Sequence, residues 1–385
     1  MNDAPLRVAI LLYSAKATGA RRQKLRLANG FARRGCQVEL VLVRAHGALL
    51  GSVAPEVRVV ALPGMALRGA AALGLGSAWR MAAALPSLVA YLRRARPDVL
   101  LAGNTPAALL AAPAHRLARV ERVRLAACVT NHLSGARRPG AAAERWLARR
   151  VLPFADAVVA VGEAVARDVR AEVPAVASRL VTLHNPVIGD DLARRRAAPA
   201  PHPWLADGGP PVVLGCGRLE PQKDFATLLR AFALLRRERA ARLVVFGEGP
   251  DRRALGELAA SLGVAHDVAL PGWIDDPFPA MARASLLVLS SRWEGMPNVL
   301  IEALACGCPV ASTDAPGGSR DALAGGALGP LVPPGDPRAL ADAMATVLRS
   351  PLPRATLEAG AASFAEASSV EGWLSLLGSL ADVRS

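Results

Sequence analysis

Two glutamates, Glu294 and Glu302, flank seven residues in the stretch SSRWEGMPNVLIEALACGCPVAST, Ser290–Thr313. From Val299 to Cys306 the segment is otherwise apolar. It reads as a buried helix opened by Pro297 and closed by Gly307. A carboxylate inside such a helix is unfavourable unless partners satisfy it. Two adjacent ribose hydroxyls would engage both oxygens of Glu302; a buried arginine would also do so. Glu294, one loop nearer the tip of the preceding strand, could meet a sugar ring. The freed backbone N–H groups around Met296, Asn298 and Val299 lie at a helix N-terminus and favour an anion.

A second group of chemistry-bearing residues is GCGRLEPQKD, 215–224. An apolar run ends in two near-adjacent glycines, Gly215 and Gly217. Arg218 follows, and Lys223 stands five residues beyond it. Glycine lets a backbone approach a ligand closely. A guanidinium fork and a compact ammonium together suit a diphosphate. Lys223 is notable because the chain has only three lysines, Lys16, Lys24 and Lys223. A turn carrying two surface cations is the plainer alternative. The pattern is not a dinucleotide fingerprint, because Glu220 stands where the third glycine of G-x-G-x-x-G belongs. A third turn, VVFGEGP (244–250), ends a strand in Gly247 and Gly249 and places Pro250 at a first helical position. It could border a nucleotide base or be a tight strand-helix junction.

No C-x-x-C pair links the five cysteines, and Cys306-Gly-Cys308 is too isolated for a metal site. Asp275-Asp276 precede a proline and do not form an Asp-x-Asp metal signal. Neither a metal nor a cofactor is therefore expected. Reduced, buried thiols fit a cytoplasmic protein. The first apolar run, Arg7–Tyr13, is too short for a secretion signal and fits a strand. Residues 69–92 come nearest to a membrane span, but Arg80, Gly74, Gly76 and Pro86 interrupt them.

The charge is lopsided. Residues 1–200 carry 30 Lys+Arg against 12 Asp+Glu, while residues 201–385 carry 16 against 20. The first half is thus +18 and the second −4. A basic half suggests an anionic partner, although arginine-rich solvated helix faces give the same count. Aromatics make up only 4% and do not interleave with the arginines, so nucleic acid is not the expected partner.

These residues need a scaffold, and the apolar periodicity supplies one. Strand-like runs at 7–13, 37–43, 57–62, 97–103, 124–130, 155–162 and 179–185 alternate with helical patterns at 21–34 and about 81–95. The alternation restarts with strands at 211–217, 241–247, 268–270, 284–290 and 309–313. Helices are expected at 224–239, 250–262, 297–306 and near 337–349. Such alternation implies two doubly wound α/β domains of parallel β-α-β units, whose ligands sit beyond the carboxyl ends of the strands. The expected division is an N-terminal domain at 1–190, a Pro/Gly-rich linker at 191–210, and a C-terminal domain at 211–352. A helical tail at 353–385 is read as crossing back to the first domain.

EGMPNVLIEALACGCPV resembles the E-x7-E region of retaining glycosyltransferases of family 4, which have the GT-B fold: two Rossmann-like domains facing across a cleft. Gly217-Arg218-Leu219 with Lys223, the G-E-G-P turn, ADAVVAVG, LHNPV and RPDVLLAG resemble other landmarks of that family. The resemblance implies that Glu294 contacts the donor sugar and Glu302 holds the ribose. It implies that Arg218 and Lys223 grip the diphosphate. The donor site would take in Gly19, Gly217, Gly247, Gly295, Met296, Pro297, Asn298 and Val299 as well. His132, in CVTNHLS, stands where the family often has a histidine facing donor or acceptor; taken bare, a lone histidine is more often structural. Two departures are visible. Thr18-Gly19 replaces a Gly-Gly pair, and Gly162 replaces a common serine.

The implied activity is metal-independent, retaining transfer of a hexosyl or N-acetylhexosaminyl group from a nucleotide sugar, with UDP favoured. The implied acceptor is a hydroxyl of a lipid-linked or polysaccharide glycan in cell-envelope assembly. The basic N-terminal domain would face the acceptor. Residues 65–95 would offer a peripheral contact with anionic lipid on the inner face of the cell membrane. The alternatives are a nucleotide-sugar 2-epimerase on the same fold and a non-enzymatic binder of anionic polymer.

Overall fold

The computed structural model describes residues 5–16, 19–63, 83–134, 141–206 and 208–382. Much of the hydrophobic segment 65–95 and Thr18 lie outside these residues. The chain divides into two compact units, Met1–Pro186 with Glu366–Ser385, and Val187–Ala365.

The first unit is built on seven parallel strands: β1 (Arg7–Ser14), β2 (Gln37–Arg44), β3 (Val57–Ala61), β4 (Val99–Ala102), β5 (Arg124–Val129), β6 (Ala157–Ala160) and β7 (Leu180–Thr182). Their order is β3-β2-β1-β4-β5-β6-β7. Helices α1 (Gly19–Arg33), α2 (Leu85–Ala95), α3 (Thr105–Ala118), α4 (Ala141–Val151) and α5 (Glu163–Glu172) connect them. Every residue of β4 and β6 is buried. Strands covered on both faces need continuous apolar runs, and this sequence supplies them with valine, leucine and alanine. α3 shows how local chemistry sets a boundary: the Asn104 side chain accepts from Ala107 N–H, and Pro106 sits in the first turn. Gly162 occupies the N-cap of α5, which therefore has no side-chain cap. A serine there would offer one, and its loss costs only a few tenths of a kcal/mol when glycine replaces it.

The second unit holds six parallel strands: β8 (Val212–Cys216), β9 (Arg242–Phe246), β10 (Val268–Gly272), β11 (Leu286–Leu289), β12 (Val310–Thr313) and β13 (Leu331–Val332). The order is β10-β9-β8-β11-β12-β13. Helices α6 (Phe225–Glu238), α7 (Arg252–Ser261) and α8 (Asn298–Ala305) connect strands, and α9 (Pro337–Arg349) and α10 (Arg354–Gly360) follow the last one. Successive strand residues serve opposite cores. Val212, Leu214, Val244 and Leu287 join one apolar cluster, whereas Val213, Leu243, Val245 and Leu286 join the other. The period-2 geometry of a strand enforces this division.

Both sheets reverse their winding between the first and fourth strands, β1/β4 in one unit and β8/β11 in the other. Two Rossmann-like units of this kind are the GT-B architecture. The final helix, α11 (Glu366–Asp382), belongs to the first unit. There Glu366 pairs with Arg33, and the Trp373 indole donates to the His184 carbonyl at 3.2 Å.

Three expectations need correction. Residues 191–210 belong to the second unit rather than forming a free linker; Leu192–Arg196 is helical and Leu205 is buried. Pro250 does not begin a helix. It lies in a turn held by Asp251 N–H donating to Leu219 O, and α7 starts at Arg252. Pro297 precedes α8 as its cap, so the helix opens at Asn298. Among the described residues, no helix is long and apolar enough to cross a membrane.

Candidate functional site

In the second unit, the loops after β8 and β11 meet at the point where the strand order reverses. Lys223 comes from the first loop and Glu294 from the second. Lys223 Nζ donates to Glu294 Oε1 at 2.6 Å. Ser291 Oγ donates to the same oxygen at 2.6 Å, and Ser290 Oγ donates to the Lys223 carbonyl at 2.8 Å. Little of either charged side chain is exposed, 17% for Lys223 and 7% for Glu294. The pair is therefore screened weakly by solvent. Crevices at such reversals, outside the carboxyl ends of the strands, are where open α/β sheets bind ligands.

The surrounding backbone is pinned by close approaches. Gly247, with φ +158°, takes a conformation and a position closed to other residues: a Cβ there would lie 1.8 Å from Gly217 O. The Gly217 and Gly247 turns are joined by Leu219 N–H donating to Glu248 O and by Gly217 N–H donating to Phe246 O. Glu294 is held from the other side. Its N–H donates to Pro316 O, and a Cβ on Gly317 (φ +132°) would meet Glu294 O at 2.1 Å. Gly318 N–H donates to Gly295 O. The sequence reading passed over this 316–318 brace. Its signal was the Pro-Gly-Gly run after β12.

Glu302 lies on α8 as its spacing predicts. Burial pushes the Cys216 thiol up to about 12, and the Glu302 charge adds to the rise. The Cys306 thiol is raised to about 12 for the same two reasons. Glu302 also acts on Arg195. Burial opposes the Arg195 charge, yet hydrogen bonds to Asp276, with the charges of Asp276, Asp191 and Glu302, raise its pKa. Arg195 grips Asp276 through two bonds of 3.0 and 2.9 Å and lies 3.9 Å over the Phe278 ring. Arg195 comes from the stretch read as linker, which is why sequence reasoning missed it.

Arg218 behaves differently from Lys223. Its side chain is 62% exposed and pairs with Glu220 at 2.7 Å. Met296, Asn298 and Val299 are partly buried around the N-terminus of α8, and Pro297 is buried there.

Two candidates belong to the first unit. α1 opens at Gly19, after the carboxyl end of β1. His132 follows the carboxyl end of β5, and its Nδ1 lies 3.8 Å from Asp168 Oδ1. Asp168 also accepts from Leu133 N–H and the Ser134 hydroxyl, so it fixes the loop that carries the imidazole. His132 Nε2 is buried without a protein partner. Among the described residues, no group of three or more His, Cys, Asp or Glu is arranged to hold a metal ion.

Residues 17–190 match glycosyltransferase family 4, and residues 210–350 match the glycosyl transferases of group 1. The chain belongs to glycosyltransferase family 4.

Curated members of known name resemble parts of this glycosyltransferase. A 120-residue stretch is 38% identical to the N-acetylgalactosamine-N,N'-diacetylbacillosaminyl-diphospho-undecaprenol 4-alpha-N-acetylgalactosaminyltransferase of Campylobacter jejuni, covering 31% of this chain and 32% of that protein. A 107-residue stretch is 40% identical to the lipopolysaccharide core biosynthesis glycosyltransferase LpsE of Rhizobium meliloti, covering 28% and 31%. Each match spans about a third of the relative's length. Among solved structures, Anabaena HepE in complex with UDP superposes with TM-score 0.76 over 97% of this chain and all of that one, at 21% identity. The likeness establishes the shared fold.

Proposed function

We propose that the protein is a retaining glycosyltransferase. It moves a hexosyl or N-acetylhexosaminyl group from a nucleotide diphosphate sugar, UDP-linked by preference, to a hydroxyl of a lipid-linked or polysaccharide acceptor during cell-envelope glycan assembly. The observation that carries this reading is the Lys223–Glu294 pair at the winding reversal of the second sheet. Family membership adds to it, as do relatives named for undecaprenol-linked and lipopolysaccharide sugars and a fold neighbour bound to UDP.

The leaving group of such a reaction is a diphosphate anion, and its stabilisation dominates catalysis. Lys223 spends one N–H on Glu294 and keeps two to donate. Exposed Arg218 is free to swing from Glu220 to an incoming phosphate. With two cations on the diphosphate, no metal is needed. Glu294, held by Lys223 and Ser291, presents its other oxygen to the donor sugar. Glu302 binds the ribose hydroxyls. His132 lies on the first unit, to which this reading assigns the acceptor.

Peripheral contact with anionic membrane is part of the same reading. On the first unit, Arg150 lies 4.5 Å over exposed Trp146 and Arg116 lies 4.7 Å over exposed Phe154. Aromatic rings bearing arginines suit a lipid headgroup layer.

Incubation with a panel of nucleotide sugars and a glycan acceptor tests the reading. The expected product carries the sugar with its anomeric configuration kept, and chelator leaves the rate unchanged. An epimerase would isomerise the donor with no acceptor present, and that outcome would replace the assignment.

A further inference from the structure

Lys24 is one of three lysines in the chain, and it is almost wholly buried, at 1% exposure. It sits in the second turn of α1. Its Nζ lies 2.7 Å from Asn185 Oδ1, 3.3 Å from Cys128 Sγ, and 4.4 Å from the centre of the Trp373 ring. Room for its stem comes from Gly103, where a Cβ would stand 3.4 Å from Lys24 Cγ and 2.5 Å from Leu12 Cδ2. Among the described residues, no carboxylate pairs with this ammonium. An isolated cation is expensive to bury, and an amide, a thiol and a ring face are weak compensation. Burial accordingly lowers the Lys24 pKa, with Cys128 opposing the change. The amine is thus more readily neutral than an exposed lysine, and it touches a sulfur atom. None of the four residues has a part in the proposed sugar transfer.

We propose that Lys24 and Cys128 form an oxidative modification site at which hydrogen peroxide closes a covalent sulfur–nitrogen bond between α1 and β5. The sulfur attacks one peroxide oxygen and the O–O bond breaks. The thiol proton leaves with the departing oxygen as water. Sulfur is oxidised to the sulfenic acid and the peroxide is reduced. The Nζ lone pair then attacks sulfur, the S–O bond breaks, and the hydroxyl leaves as water with a proton from Nζ. One thiol, one amine and one peroxide become one S–N bond and two waters. Sulfenic acids condense with thiols and with nitrogen, and the nitrogen already in contact here is the amine. The remaining N–H of Nζ can still donate to Asn185. Cys128 is fully buried, so peroxide, a molecule of nearly water's size, reaches it through local opening. An external thiol reverses the bond by attacking sulfur, releasing the amine, and a second thiol frees Cys128.

The test uses the full wild-type chain, treated with hydrogen peroxide and digested after alkylation of free thiols. The expected result is a linked peptide pair joining Lys24 to Cys128, lighter by two hydrogens than the sum of the separate peptides and abolished by dithiothreitol. Recovery of Cys128 only as alkylated thiol, or as sulfinic or sulfonic acid, with no linked pair, overturns the proposal. Two variants sharpen the result, and neither needs to fold for the wild-type measurement to stand. Cys128→Ala should lose the pair entirely. Lys24→Arg removes the reactive amine, so Cys128 should accumulate as a sulfenic acid trapped by dimedone; a linked pair persisting in that variant would assign the nitrogen elsewhere.

Discussion

Lys223 and Glu294 come from loops 71 residues apart in sequence, yet their charged atoms lie 2.6 Å apart beside the winding reversal of the second sheet. The pair is mostly buried and its carboxylate also accepts from Ser291. It is therefore both a structural element and the centre of the proposed donor site, and the two roles can be separated by measurement.

Removing one partner strands the other charge. Lys223→Met should destabilise the protein by on the order of 3 kcal/mol and lower kcat/KM at least ~100-fold. The double variant Lys223→Met/Glu294→Gln should recover much of the stability but none of the activity. Chemical denaturation and donor kinetics on all three variants check this. Wild-type kinetics in the single variant would remove Lys223 from the diphosphate.

Arg218 should give the opposite split. Its exposed pair with Glu220 contributes little, so Arg218→Ala should change stability by less than about 0.5 kcal/mol. Turnover should nonetheless fall, because the guanidinium is proposed to act on the donor phosphate rather than on the fold. An equal loss of stability and activity would point to a structural role.

The two glutamates should divide binding from turnover. Glu302→Ala removes the carboxylate proposed to hold the ribose and should weaken nucleotide affinity about 10- to 100-fold. Glu294→Ala should lower kcat with a smaller change in affinity. Calorimetry with UDP beside steady-state rates reads both, and a reversed pattern would exchange their roles.

Gly247→Ala should be severe. The new Cβ meets Gly217 O at 1.8 Å on a backbone at φ +158°, so one of the two turns must move. The expected cost is on the order of 3 kcal/mol. A melting temperature within a degree or two of wild type would show that the turns are not locked together.

Lys24 makes stability depend on pH. Its folded pKa is lowered by burial, so between that value and the ordinary lysine value of about 10.4 the unfolded chain binds the extra proton. Stability contributed at this site therefore rises as pH rises through that window, and the penalty is complete below it. The difference in unfolding free energy between wild type and Lys24→Met should shift towards wild type as pH climbs to about 10. A difference independent of pH would mean that folding does not lower the Lys24 pKa.

Most of the strands were legible because buried parallel strands require uninterrupted apolar runs, and the chain shows them at every expected place. The spacing of Glu294 and Glu302 and the Gly217–Lys223 segment were equally legible, since residue type and local turn chemistry are written in consecutive residues. Residues 191–210 were misread because proline, glycine and charge look the same in a free linker and in a segment packed on a domain. Pro250 was misread because the hydrogen bond that holds its turn runs to Leu219, 31 residues away.

The sequence alone thus determined the two rounds of strand and helix, the basic first half and which residue types stand in the loops of the proposed site. Tertiary structure alone decided that Lys223 would be paired with Glu294, that Gly317 would brace the Glu294 loop, and that Arg195 would pair with Asp276. It also decided that Lys24, Cys128, Asn185 and Trp373 would meet. The physical reason is that pairings between distant loops depend on strand order, and strand order is fixed by how the whole sheet winds rather than by any single run of residues.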